Sequence, residues 1–306
     1  MSENVKRVLD EMARLMENAK NDGLTESFNK PIDVTLNALV TKPNEETNKK
    51  TLEVIKTDTF LDSMFLDQND KVLNGIPSVS NSILTGLPSS GKSLFIDELA
   101  LRLANNEKKT ILVTSEDVFR TNSGRYDLET RFREKAKLLG LDWHKISENL
   151  SIIDCVAHAE LRYWDTFIST FRVLVEKEKA EILLVDSLTQ LEDSRGAVKL
   201  RLLEMCRYNQ THNITAIFVS QRSIDEADGL SLSGGLAVGY SCDIIMELDY
   251  KKAWSNDSAI KVDTGCKQGD IVYFFRILKN RLSKYKANYF AYEITKDGLV
   301  KLNQKT

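Results

Sequence analysis

The chain has 306 residues, 42% hydrophobic and 28% charged, with 42 basic and 45 acidic side chains and a formal net charge of −3. That length suits one large core with a small extension, and the composition is that of an ordinary globular protein. No apolar run approaches the roughly 20 residues that span a bilayer, and the charge balance lacks the basic footprint of a dedicated nucleic-acid binder.

The N-terminal MSENVKRVLDE is charged throughout and carries no apolar core of a signal peptide, so a cytoplasmic protein without membrane association is expected. Cys155, Cys206, Cys242 and Cys266 are scattered, as are His144, His158 and His212. Zinc-ligand spacing is therefore missing, and isolated thiols fit a reducing compartment.

Val5, Val8, Met12, Leu15 and Ala19 recur at spacings of three and four, which lays them on one face of an amphipathic helix. Asp22-Gly23 breaks it, and Lys42-Pro43-Asn44-Glu45-Glu46-Thr47-Asn48-Lys49-Lys50 has linker composition. Residues 1–50 are read as a helical extension and linker, and 51–306 as the main domain. Strands are expected at Ser82–Thr85, Thr110–Thr114, Leu150–Ile153, Ile182–Val185 and Ile214–Val219, with a helix from Ser93 to Asn105. Runs apolar on both faces, separated by helical stretches, indicate an α/β fold with a mostly parallel sheet covered on both sides. After residue 240 the pattern turns antiparallel, with Ile271–Leu278 and Ala287–Ile294 forming a hairpin joined by a short basic turn.

Between the first strand and the helix lies Gly86-Leu87-Pro88-Ser89-Ser90-Gly91-Lys92-Ser93, a G-x-x-x-x-G-K-[ST] loop in its proper strand–loop–helix context. The glycines let backbone N–H groups turn inward, the helix end adds its positive dipole, Lys92 faces the β- and γ-phosphates and Ser93 can ligate Mg²⁺. Residues Gly86 through Leu94 are the expected nucleotide-contacting set. Asp186 ends the apolar strand Leu183-Leu184-Val185, at the strand edge where open α/β sheets bind ligands, and would serve the same Mg²⁺. Glu116 and Asp117 close the strand after the loop's helix and can orient or deprotonate a water, although acidic residues there also cap helices. Gln221 ends the fifth strand and can sense a γ-phosphate.

With these residues in order, the chain resembles the RecA-superfamily P-loop ATPases, in their KaiC-like and RadA-like branch. Gly75-Ile76-Pro77, GLPSSGKS, VTSED, LLVDSLTQL and VSQRS carry the likeness, which runs over roughly residues 55 to 303. The resemblance implies ATP and Mg²⁺ as cofactors, Glu116 as activator of the attacking water, Asp186 at the metal and Gln221 as nucleotide sensor. KaiC-like members typically have two glutamates where this chain has Glu116-Asp117, which leaves the second position without an assured role. The resemblance further matches Lys279-Asn280-Arg281 to a K-x-R element that reaches the γ-phosphate of a neighbouring subunit; it thus implies a homo-oligomeric ring, a hexamer, acting on a protein partner. Some relatives also phosphorylate their own Ser or Thr residues, a role this sequence assigns to no residue.

The alternative is a RadA paralogue binding single-stranded DNA in recombinational repair. The loops that would face DNA, Gln190–Gly196 and Arg222–Gly229, hold more acid than base and no aromatic platform. Affinity for a nucleic-acid backbone comes chiefly from Lys and Arg, so the ring ATPase is the favoured reading.

Overall fold

A computed structural model describes residues 51–121, 126–188, 197–222, 241–252 and 270–303. The expected N-terminal helix, the linker and Gln190–Gly196 lie outside these residues, as does the loop after Arg222.

The first described stretch carries three short strands, β1 (Val54–Ile55), β2 (Phe65–Leu66) and β3 (Ile76–Pro77). β4 (Asn81–Gly86) leads through the phosphate loop into α1 (Lys92–Asn105), followed by β5 (Thr110–Thr114), α2 (Leu128–Leu138), α3 (Trp143–Asn149) and β6 (Leu150–Asp154). α4 (Trp164–Glu178), β7 (Ile182–Asp186), α5 (Ala197–Thr211) and β8 (Thr215–Gln221) continue the alternation. The chain closes with β9 (Ile244–Lys252), β10 (Ile271–Asn280), β11 (Lys284–Tyr285), β12 (Phe290–Ile294) and β13 (Val300–Leu302).

Nine strands form the main sheet in the order β13-β12-β10-β9-β4-β8-β7-β5-β6. From β9 to β6 neighbouring strands are parallel, and from β9 outward to β13 they are antiparallel. Successive residues of a strand point to opposite faces, and the sequence supplies an apolar side chain for each. Leu84, Leu112, Leu184 and Ile217 join one core with Phe95 and Leu99 of α1 and Phe132 of α2. Ile83, Ile111, Leu183 and Phe218 join the other with Phe167 and Phe171 of α4 and Met205 of α5. Parallel strands are buried on both faces because helical crossovers cover them.

The C-terminal region differs from the sequence expectation in two respects. β9 lies parallel to β4 and antiparallel to β10, so the change of direction falls one strand later than expected. The anticipated hairpin is part of a three-strand antiparallel extension, since β13 pairs with β12. Its turn also holds β11, which pairs with β2.

Gly86 fixes where β4 must end. Its φ is +149°, and a Cβ placed on it would lie 1.6 Å from the Leu248 carbonyl oxygen of β9. We expect Gly86→Ala to lower stability by about 3 kcal/mol or more, through overpacking against backbone that has nowhere to move. A urea midpoint equal to the parent's, at unchanged m, would contradict this.

Candidate nucleotide site

Beyond Gly86 the loop curls back on itself. The Ser90 amide donates to the Leu87 carbonyl at 3.3 Å, Ser89 sits at φ +63° and Gly91 at φ +88°. Left-handed residues interspersed in a tight turn bring successive N–H groups to one side, a concavity suited to anions. Gly91 is the N-cap of α1 and offers no side-chain cap, so the first N–H groups of this 14-residue helix are left for a ligand at its positive end.

Lys92 is buried and folds back over the loop. Its ammonium donates to the carbonyls of Gly86 at 2.9 Å and Leu87 at 2.7 Å, and to Ser90 Oγ at 3.4 Å. Burial pulls its pKa down to about 8, with Asp186, Asp249 and Glu116 pulling the other way. Asp186, at the end of β7, is pushed up to about 6 by burial, opposed first by the Ser93 hydroxyl beside it. Its Oδ1 is buried without a hydrogen-bond partner. An orphaned carboxylate oxygen next to a hydroxyl is a donor pair that fits Mg²⁺, which usually takes one or two protein oxygens and fills its shell with phosphate and water. Among the described residues no cluster of three or more His, Cys, Asp and Glu forms a closed metal cage.

The sheet order sets the remaining groups around this pair. Gly86 is in register with Gln221, and Thr114 with Asp186, so the ends of β4, β8, β7 and β5 stand side by side. β4 and β5 follow one another in sequence but are separated by β8 and β7; crevices at such switch points bind ligands. Glu116, exposed just past β5, accepts hydrogen bonds at Oε1 from Ser187 Oγ at 2.9 Å and from Gln221 Nε2 at 3.3 Å. Ser115 ties its strand to β7, donating its amide to the Asp186 carbonyl at 2.9 Å and accepting the Ser187 amide at 2.8 Å.

Asp117 goes elsewhere. Its carboxylate pairs with Arg131 of α2, and its carbonyl accepts from Thr114 Oγ1 at 2.8 Å. Leu94, on the first turn of α1, contributes a carbonyl that accepts from Lys135 Nζ at 3.0 Å. Lys279 and Arg281 stand at the opposite end of the sheet. Asn280 is in register with Ile244, and Ile244 with Ser82, so they neighbour the start of β4 rather than its phosphate-loop end. A bulge between Ile277 and Lys279 re-aims the strand there, Lys279 Nζ donates to the Cys242 carbonyl, and the Arg281 amide donates to the Asp243 carbonyl at 3.1 Å.

Two groups at the site escaped the sequence reading. Ser187 holds Glu116, and only its place directly after Asp186 hinted at this. Arg222 follows Gln221 and bridges the buried carboxylates of Glu247 at 3.2 Å and Asp249 at 3.0 Å, while its amide donates to the Gly86 carbonyl at 3.1 Å.

A strand–loop–helix cradle at the carboxyl edge of a mostly parallel sheet, with acidic groups on neighbouring strand ends, defines a RecA-like P-loop nucleotide-binding fold. A family model described as the KaiC ATPase matches residues 58–306, and the chain belongs to that family. The crystal structure of a KaiC-like protein from the hyperthermophilic archaeon Pyrococcus horikoshii OT3 shares the fold, with a TM-score of 0.60 at 16% identity over 83% of this chain and 100% of that one. No curated protein matches the sequence.

The raised Asp186 carboxyl has a stability consequence. The folded state holds this proton more tightly (about 6) than the ordinary 3.8, so the group favours folding below pH 3.8 and loses that contribution as pH rises through 6. In metal-free buffer, Asp186→Asn should therefore be more stable than the parent at pH 8 by about 1–2 kcal/mol, the two converging toward pH 4. Equal urea midpoints at pH 8 would contradict it.

Proposed function

We propose that the protein binds ATP with Mg²⁺ and hydrolyses it in a closed ring of like chains, a hexamer, whose cycle changes shape for a protein partner. The observation that carries this reading is the position of Lys279 and Arg281. They lie at the end of the sheet remote from their own phosphate loop, separated from it by the length of β4, about 17 Å. A cationic pair so placed serves a phosphate only in a neighbouring copy.

In this reading the amides of the loop and the α1 N-terminus bind the phosphates, and Lys92 exchanges its loop carbonyls for phosphate oxygens. Ser93 and Asp186 hold Mg²⁺, which supplies charge neutralisation across the phosphates. Glu116 takes a proton from the attacking water, its carboxylate kept in place by Ser187 and Gln221. Gln221 links the γ-phosphate position to Glu116 and, through Arg222, to β9. Lys279 and Arg281 of the next copy neutralise charge developing on the transferred group. Asp117, turned to Arg131, braces α2 against the strand end and has no proton-transfer part. Water is the acceptor.

We expect Glu116→Gln to lower turnover by about 10²- to 10⁴-fold with ATP binding kept. Lys279→Ala with Arg281→Ala is expected to abolish turnover and leave ATP binding within a few-fold. Steady-state hydrolysis with Mg²⁺, with and without single-stranded DNA at low salt, tests the class of function: indifference to DNA is expected. Strong stimulation by DNA would favour the strand-exchange paralogue, and full activity in the double variant would end the trans role.

A further inference from the structure

The antiparallel extension reaches back to the phosphate loop. Tyr292, in the middle of β12, is 3% exposed, and its hydroxyl donates a hydrogen bond to the Ser90 carbonyl, a residue 202 positions earlier. Around that bond the two elements are in close contact. A Cβ placed on Gly91 would lie 3.0 Å from Ile294 Cδ1 and 3.5 Å from Val300 Cγ2, and one placed on Gly298 would lie 3.4 Å from Leu94 Cδ2. The phenol ring is itself held in a row across three strands, 5.4 Å from the ring of Tyr273, which is 5.8 Å from that of Tyr250.

The bond has a directional consequence. The peptide joining Ser90 to Gly91 is trans. In a planar trans peptide the carbonyl and the following N–H point in opposite directions. Fixing the Ser90 carbonyl toward β12 therefore fixes the Gly91 N–H away from β12. Gly91 has no side chain and a positive φ, so nothing in its own covalent structure would hold this peptide in one orientation.

We infer that Tyr292 is a positioning residue for the cradle: its hydroxyl sets the Ser90–Gly91 peptide so that the Gly91 amide faces a bound β-phosphate. The ligand class is any nucleoside di- or triphosphate, and the inference rests on the nucleotide-binding reading above. Burial, followed by the neighbouring Tyr273 and Asp249, pushes the Tyr292 ionisation well up, so the phenol stays protonated and remains a donor across the working pH range. A cradle ordered before the nucleotide arrives spares the ligand the cost of ordering it. The nucleotide contact thus depends on strands at the far end of the chain, and cutting the chain before β12 would leave the loop sequence intact without its brace.

The test is Tyr292→Phe, compared with Phe275→Leu, a core substitution on β10 that does not touch the loop. ADP and ATP affinities are measured by calorimetry, KM and kcat by steady-state hydrolysis, and stability by urea midpoint without nucleotide. Tyr292→Phe is expected to weaken ADP and ATP alike by about tenfold, the size of one buried hydrogen bond, and to raise KM more than it lowers kcat. Phe275→Leu should lower the midpoint and leave affinity within about twofold. Equal loss of affinity in both variants overturns the inference, because general loosening would then explain it. Unchanged affinity in Tyr292→Phe also overturns it, with the nucleotide reading left standing; a parent that binds no ATP overturns both. A readout that needs no variant is hydrogen exchange of the Ser90 amide, which is bonded to the Leu87 carbonyl within the loop, in the nucleotide-free parent. Protection there before any ligand is added supports the brace, and exchange at the unstructured rate overturns it.

Discussion

At the end of β4 the chain runs out of lateral room. Gly86 is hemmed in by the Leu248 carbonyl of β9 on one side and receives the amide of Arg222, just past β8, on the other, and its φ is one that side chains rarely adopt. The backbone can leave only by rising over the sheet edge and returning as α1, and the return carries Lys92 back above Gly86 and Leu87. A cationic side chain is thus buried without a carboxylate bound to it, its charge met by loop carbonyls and by the longer-range pull of Asp186, Asp249 and Glu116. Asp186 is pressed in the opposite direction by the same burial. Both groups are held where a phosphate and a divalent cation would relieve them, which is electrostatic preorganisation in its plainest form.

The second consequence of the strand order concerns what lies far away. Parallel strands put all their carboxyl ends on one edge, so Gly86, Glu116, Asp186 and Gln221 converge although they span more than a hundred residues. β10 runs the other way and delivers Lys279 and Arg281 to the amino edge, next to Asp243 and the beginning of β4. The two halves of the proposed chemistry therefore stand at opposite edges of the sheet within one chain, and in the proposed ring a second copy would bring them face to face. The antiparallel extension has a second task, since β12 and β13 also back the phosphate loop.

Features that depend on local chemistry were legible in the sequence. The loop reads from its glycines and GKS, and strands such as Ile182–Val185 read from apolar pairs that feed two cores at once. β9 did not, because Glu247 and Asp249 interrupt its apolar pattern and their carboxylates are buried against Arg222, just past β8, and Arg276 of β10, partners remote in sequence. Asp117 resembles Glu116 in sequence, but Arg131 on a separate helix turns it outward. The hydrogen bond of Tyr292 to Ser90 joins residues 202 positions apart, and neither motif nor periodicity bears on it.

The central claim is that one working site is built from two chains. It is tested most directly by mixing two proteins, each inactive alone: Glu116→Gln, which keeps its cationic pair, and the Lys279→Ala, Arg281→Ala double variant, which keeps its water-activating carboxylate. In mixed rings about a quarter of the interfaces at equal ratio would pair an intact carboxylate with an intact cationic pair. The account expects turnover to return on mixing, up to that fraction of the parent's. Mixed rings that form and bind ATP yet stay inactive would contradict it.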